Sequence, residues 1–87
     1  MSLTVDSRST PAPHLSRSAH VRLVPAAPAL WRVVDRDSRV IGHLQAIRRG
    51  RDTRYVARRF HSPSRAFREL GEFWSAGDAI ECITFAR

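Results

Sequence analysis

Lysine is missing from this chain: all fifteen basic residues among its 87 are arginine. That absence removes lysine Schiff-base chemistry, a phosphate-loop lysine and lysine modification. Cysteine is nearly missing too. A single Cys82 forms no internal disulfide, so the usual staple of small secreted domains is excluded and a reducing, cytoplasmic interior is expected. No apolar run approaches the roughly eighteen residues of a membrane span, and the N-terminal stretch MSLTVDSRSTPAPHLSRSAH lacks the apolar core of a signal peptide. The expectation is a soluble, unexported protein without a membrane partner.

Catalytic and metal chemistry are equally thin. His14, His20, His43 and His61 show no spacing that would place ligands on one helix face, and Cys82 has no cysteine partner. No metal and no cofactor are expected. Cys82 with His43 could be drawn as a nucleophile and its base, but a cysteine on a short amphipathic helix behaves as a small hydrophobe. Glu69 and Glu72 are close in sequence and read as solvent-facing counter-charges to Arg65 and Arg68. The chain is therefore expected to be no enzyme.

What is present is charge on an otherwise ordinary globular composition. Hydrophobic residues make up 43%, and the net charge is +7. Residues 1–20, rich in Ser, Thr, Pro, Arg and His, bury too little surface to offset ordering entropy and are expected to be a disordered basic tail. Residues 21–29 form a Pro/Ala-rich lead-in, extended at Val21–Val24 and stiffened by Pro25 and Pro28. Residues 30–87 form the folded unit.

Within that unit the pattern reads as strands first. Trp31–Asp35 is aromatic and β-branched, Arg36–Arg39 is a polar turn, and Val40–Ile47 resumes the apolar run. On that second strand Val40, Gly42, Leu44 and Ala46 share the face expected to meet the core. Arg48–Thr53 reads as a turn broken by Gly50, and Arg54–His61 as a third strand closed by Ser62-Pro63-Ser64. Phe67–Trp74 reads as a fourth strand or a helical turn; Gly71 favours a strand with a bulge that lets Leu70 and Phe73 both lean inward. Ser75 then caps a helix over about 76–85, with Asp78 completing a capping box. Ala76, Ala79, Ile80 and Ile83 recur at helical spacing, with Asp78 and Glu81 facing water. Trp31, Phe67, Phe73 and Trp74 are expected as core and staple residues, Trp74 half exposed beside the cap. The fold class is α+β, a three- or four-stranded antiparallel sheet packed on one C-terminal helix. A unit this small is marginal on its own core, so self-association as a homodimer, or a partner, would help it.

The basic excess is local. Residues 48–59 hold Arg48, Arg49, Arg51, Arg54, Arg58 and Arg59 against Asp52 alone. Guanidinium groups match phosphate and the O6/N7 edge of guanine, so one reading makes this ribbon a nucleic-acid surface with Tyr55 and His61 as aromatic neighbours. The other makes it a solvated face: arginine without lysine is also what a GC-rich genome produces. Alternation does not choose between them, since Arg54 and Arg58 share a face with Val56, and Arg59 lies on the other with Tyr55 and Ala57.

The segment Leu70-Gly71-Glu72-Phe73-Trp74-Ser75-Ala76-Gly77-Asp78-Ala79-Ile80 resembles the L-G-x-F-x-T/S-x-x-E/D-A signature of AP2-like domains. That signature ends the sheet and opens the helix in those modules and in the similar arm-binding domains of phage integrases. The resemblance implies a three-stranded sheet on one helix whose exposed face reads the major groove with Arg and Trp. Trp31-Arg32-Val33 and Arg54-Tyr55-Val56-Ala57 match more loosely, which extends the implied role to Arg32, Arg54 and Arg58. Short arginine-rich chains of this kind also look similar to small bacterial proteins labelled as DNA-repair-associated. The leading expectation is a small DNA-binding protein with its arginines on phosphates, RNA being the other nucleic acid such a surface could hold. A protein-interaction module docking on an acidic partner is the alternative.

Overall fold

The computed structural model describes residues 11–13, 15 and 20–86. Five strands follow one another, β1 (Arg22–Ala27), β2 (Leu30–Val34), β3 (Val40–Arg49), β4 (Asp52–His61) and β5 (Ala66–Phe73), and one helix, α1 (Ala76–Phe85), ends the chain. The strands form a single antiparallel sheet in the order β1-β2-β3-β4-β5, so each neighbour in sequence is a neighbour in space. The architecture is α+β, an open sheet packed on one C-terminal helix.

The extra strand is β1, which the two prolines make read as a spacer. Pro25 sits opposite Trp31 on the sheet's edge, where a residue without an N–H leaves no ladder bond broken. The tail is also not wholly apart. Pro11–Pro13 and Leu15 have no regular structure, yet Leu15 packs against the core; the rest of residues 1–19 lies outside the described residues.

The β3–β4 turn is tighter than the run of polar residues implies. Arg49 pairs with Asp52, so only Gly50 and Arg51 turn the chain, and Gly50 at φ +67° holds the position where a type II′ hairpin turn requires glycine. Between β2 and β3, Asp35 organises the turn: its Oδ1 accepts from the amides of Asp37 and Arg39, each at 2.9 Å. These bonds, the Arg39 amide foremost, hold the Asp35 carboxyl below the usual carboxylate range.

In β5, pairing runs Ala57 with Gly71 and then Arg58 with Glu69, leaving Leu70 as the extra residue of a bulge. Gly71 takes φ +144°, and Leu70 and Phe73 both pack toward the core, as the spacing predicts. Ser75 caps α1 by accepting the Asp78 amide at 3.1 Å. The reciprocal arm of the box is not formed, the aspartate being one methylene shorter than the glutamate that usually reaches back.

The helix buries Ala76, Ala79, Ile80 and Ile83 on Trp31, Val33, Leu44 and Ala57, all at most 7% exposed. Each fully buried Leu or Ile side chain contributes about 1.5–3 kcal/mol of transfer free energy. The sheet is hollowed where the helix crosses it. A Cβ on Gly42 would meet the backbone oxygen of Arg58, and Ile83 Cγ2 at 2.9 Å, so only glycine lets the helix approach. Val40, expected on the core face, is 37% exposed, because the pairing shifts between Val33 and Val34 and carries the start of β3 off that face. No helix among the described residues is long and apolar enough to cross a membrane.

Candidate nucleic-acid interface

Because α1 covers one face of the sheet, the other is left open. Register assigns the rows of that open face. Arg32, His43, Arg58 and Glu69 lie side by side across β2, β3, β4 and β5; Gln45, Val56 and Glu72 form the next row; Ile47 and Arg54 a third. The β3–β4 hairpin then runs on past its neighbours. β2 pairs only as far as Gln45, with Ala46 still donating to the Ala29 carbonyl, and β5 begins pairing only at Tyr55, so residues 47–53 project as a two-stranded ribbon tipped by Arg48, Arg49 and Arg51. Such a ribbon has the dimensions that a nucleic-acid groove admits.

The six arginines of residues 48–59 divide three ways. Arg48 and Arg51 are exposed at the tip, where the Arg48 side chain donates to the Gly50 carbonyl at 3.5 Å. On the open face, Arg49 is bound by Glu72 at 2.6 Å, and Arg58 donates to Gln45 Oε1 at 2.9 Å with Glu69 at 4.0 Å. Arg54 lies over the Trp74 ring at 3.4 Å. Arg59 does not join them. It faces the helix, apart from the other five, and donates to the Ile83 carbonyl at 2.8 Å near the negative end of α1. Arg32, which entered through the family resemblance, is exposed on the open face beside His43.

Several partners differ from the expected ones. Glu69 and Glu72 face Arg58 and Arg49 across the strands, not Arg65 and Arg68 along the chain, because neighbours in a sheet are set by register. The Arg49 hydrogen bond pulls the Glu72 carboxyl below its ordinary range and holds the Arg49 proton more firmly. Tyr55 packs on the covered face, so it is no neighbour of the open one, and His61 bonds Ser64 at 2.8 Å. The open face also displays Phe67, expected inside, and Trp74, expected half exposed beside the cap. Trp74 is 65% and Phe67 37% exposed, while Trp31 and Phe73 do serve the core. Phe67 stacks on His43 with centroids 3.9 Å apart and also touches Phe60. Partial burial first, and then Arg32 and Arg58, push the His43 pKa below its ordinary value, so this imidazole resists protonation.

The basic excess lies on the open face and ribbon, while on the helix side Arg59 and Arg68 accompany the acidic residues of α1. The exposed helix surface carries Asp78 and Glu81, whereas the open face and ribbon hold Arg32, Arg48, Arg49, Arg51, Arg54 and Arg58 against Asp52, Glu69 and Glu72. His43 and Cys82 lie on opposite sides of the sheet, which removes them as a nucleophile and base pair. No cluster of three or more metal-ligating side chains occurs among the described residues. Both sheet edges are blunted, β1 by Pro25 and β5 by its bulge and by Arg68 and Glu69. Comparison with family models, with curated proteins and with solved structures yields no match.

Proposed function

We propose that this chain is a small, non-enzymatic DNA-binding protein of the cytoplasm that grips the phosphate backbone with its β3–β4 ribbon and open sheet face. The observation that carries the reading is the ribbon itself: two strands projecting beyond the sheet, with Arg48 and Arg51 at the tip meeting no carboxylate partner among the described residues. Isolated guanidinium groups on an open hairpin contribute little to stability and are available to phosphate oxygens. The helix side carries no comparable excess, its Asp78 and Glu81 being matched by Arg59 and Arg68, so the arginine excess of the ribbon is where a polyanion is drawn. The likeness of Leu70–Ile80 to AP2-like domains supports the same face, since those modules meet DNA with the side of the sheet opposite their helix.

Anisotropy of a labelled DNA hairpin with a single-stranded overhang, followed over a series of salt concentrations, tests it. Affinity is expected to fall steeply with salt, and the double variant Arg48→Ala, Arg51→Ala to flatten the log–log slope by about two. Absence of binding at low salt overturns the reading. Capture of an acidic protein that survives nuclease treatment, through the same arginines, would replace it with the protein-docking alternative.

A further inference from the structure

Trp74 and Phe67 lie near the two ends of β5, and both are exposed on the face that α1 leaves open. Neither ring is loose. Arg54 lies over the Trp74 ring at 3.4 Å, and His43 stacks on Phe67 at an interplanar angle of 14°. Each ring is thus backed by a flat group and presents its remaining surface outward, which lowers the entropy lost when something stacks on it. Arg54 does not owe its position to hydrogen bonds. Its Nε is buried with no acceptor among the described residues, a cost that stacking on Trp74 has to offset.

Between the rings, β5 carries Glu69 and Glu72, while Arg58 and Arg32 lie on β4 and β2. The charge therefore changes sign across the face, cationic over β2 to β4 and anionic along β5. A duplex brings two rows of phosphates to any surface that enters its groove, and one row would fall on the β5 carboxylates. A single strand brings one row. With that row running along β3, flanked by Arg32 and Arg58, its bases reach β5, where rings stack on them and carboxylates accept from exocyclic amino groups such as cytosine N4.

We propose that the open face binds single-stranded DNA, with bases stacked on Trp74 and Phe67 and phosphates on Arg32 and Arg58. This rests on the DNA-binding reading above and narrows it. Deoxyribose is favoured because the strands turn no Ser, Thr or Tyr side chain to this side, Thr53 and Tyr55 alternating onto the other, and the Gln45 amide oxygen is already held by Arg58. A 2′-hydroxyl would meet no hydroxyl partner there.

The test compares a labelled dT-dC oligonucleotide, its ribose counterpart and a blunt duplex of equal phosphate number, in the same buffer, by anisotropy and tryptophan fluorescence. Single-stranded DNA is expected to bind at least tenfold more tightly than either of the others. Binding should quench the exposed Trp74 and leave Trp31, buried in the core, unchanged. Trp74→Ala is expected to weaken single-strand binding roughly 5- to 150-fold with duplex binding unaltered. Trp74→Phe should retain most affinity, since a phenyl ring still stacks, and its loss of quenching assigns the signal to Trp74. Equal or tighter duplex binding, an unaffected Trp74→Ala, or tighter binding of the ribose strand overturns the inference and leaves the arginine reading standing. Failure of all three nucleic acids to bind at low salt overturns both.

Discussion

The two faces of the sheet are built from the same strands by opposite rules. On the covered face, large residues (Trp31, Leu44) alternate with small ones (Gly42, Ala57), and the helix settles into the hollow they leave. Arg59, which points there, is tied to the Ile83 carbonyl. On the open face arginines and rings stand in pairs: Arg49 with Glu72, Arg54 with Trp74, Phe67 with His43. The first face holds the fold by apolar burial. The second carries groups whose contribution to folding is small and whose exposure suits a ligand, which is the division expected when stability and binding are assigned to different sides of a small domain.

Substitutions should therefore separate the faces. Ile83→Ala, opposite Gly42 and fully buried, is expected to cost about 2–5 kcal/mol, enough to unfold much of so small a domain at ambient temperature. Circular dichroism melting would register this as loss of the transition. Gly42→Ala should cost about 1–3 kcal/mol by pushing Arg58 and Ile83 apart, a fall in melting temperature of roughly 4–8 °C per kcal/mol. A tolerated alanine at that position would mean that the helix is not held as closely as the geometry requires. Ser75→Ala, which removes the cap, is expected to cost about 1 kcal/mol by the same measurement.

On the open face the ordering reverses, with binding changed and stability kept. Glu72→Gln frees Arg49 and removes a negative charge, so DNA affinity should rise severalfold with no measurable change in melting temperature. Lower affinity in that variant would show that the Arg49–Glu72 pair positions the ribbon. The smallest expected effect belongs to His43. Its folded pKa lies below the ordinary value of 6.5, so the unfolded chain binds the proton first and stability contributed by the neutral ring is lost as pH falls below that value. A shallow decline in melting temperature between neutral and mildly acid pH, removed by His43→Gln, is the expected signature. Phosphates seated on Arg32 and Arg58 would offset their repulsion of the imidazolium, so DNA binding should take up a proton in the same range.

The covered face is largely legible in the sequence, because periodicity encodes burial. Ala76, Ala79, Ile80 and Ile83 declare the helix stripe, Ser75 its cap, and Gly71 the bulge that turns Leu70 and Phe73 inward. Much less of the open face can be read that way. Arg54 and Trp74 are twenty positions apart, Arg49 and Glu72 twenty-three, and only cross-strand register brings them together. A large aromatic near the end of a strand reads as core in a chain with so few other bulky side chains, yet the helix covers one face and leaves Phe67 on the other, beside the Trp74 whose place before the cap already marks it as half exposed. The edge strand β1 was hidden for a different reason: proline excludes central strands and is tolerated at an edge, and the linear sequence does not say which strands are edges.

Chemical-shift mapping of the ¹⁵N-labelled protein during titration with single-stranded DNA tests the division between the faces most directly. The account predicts that the Trp74 indole Nε1 resonance and the amides of residues 46–58 shift together. The Trp31 indole and the amides of α1 should stay in place. Shifts centred on α1, or equal movement of the two indoles, would contradict it.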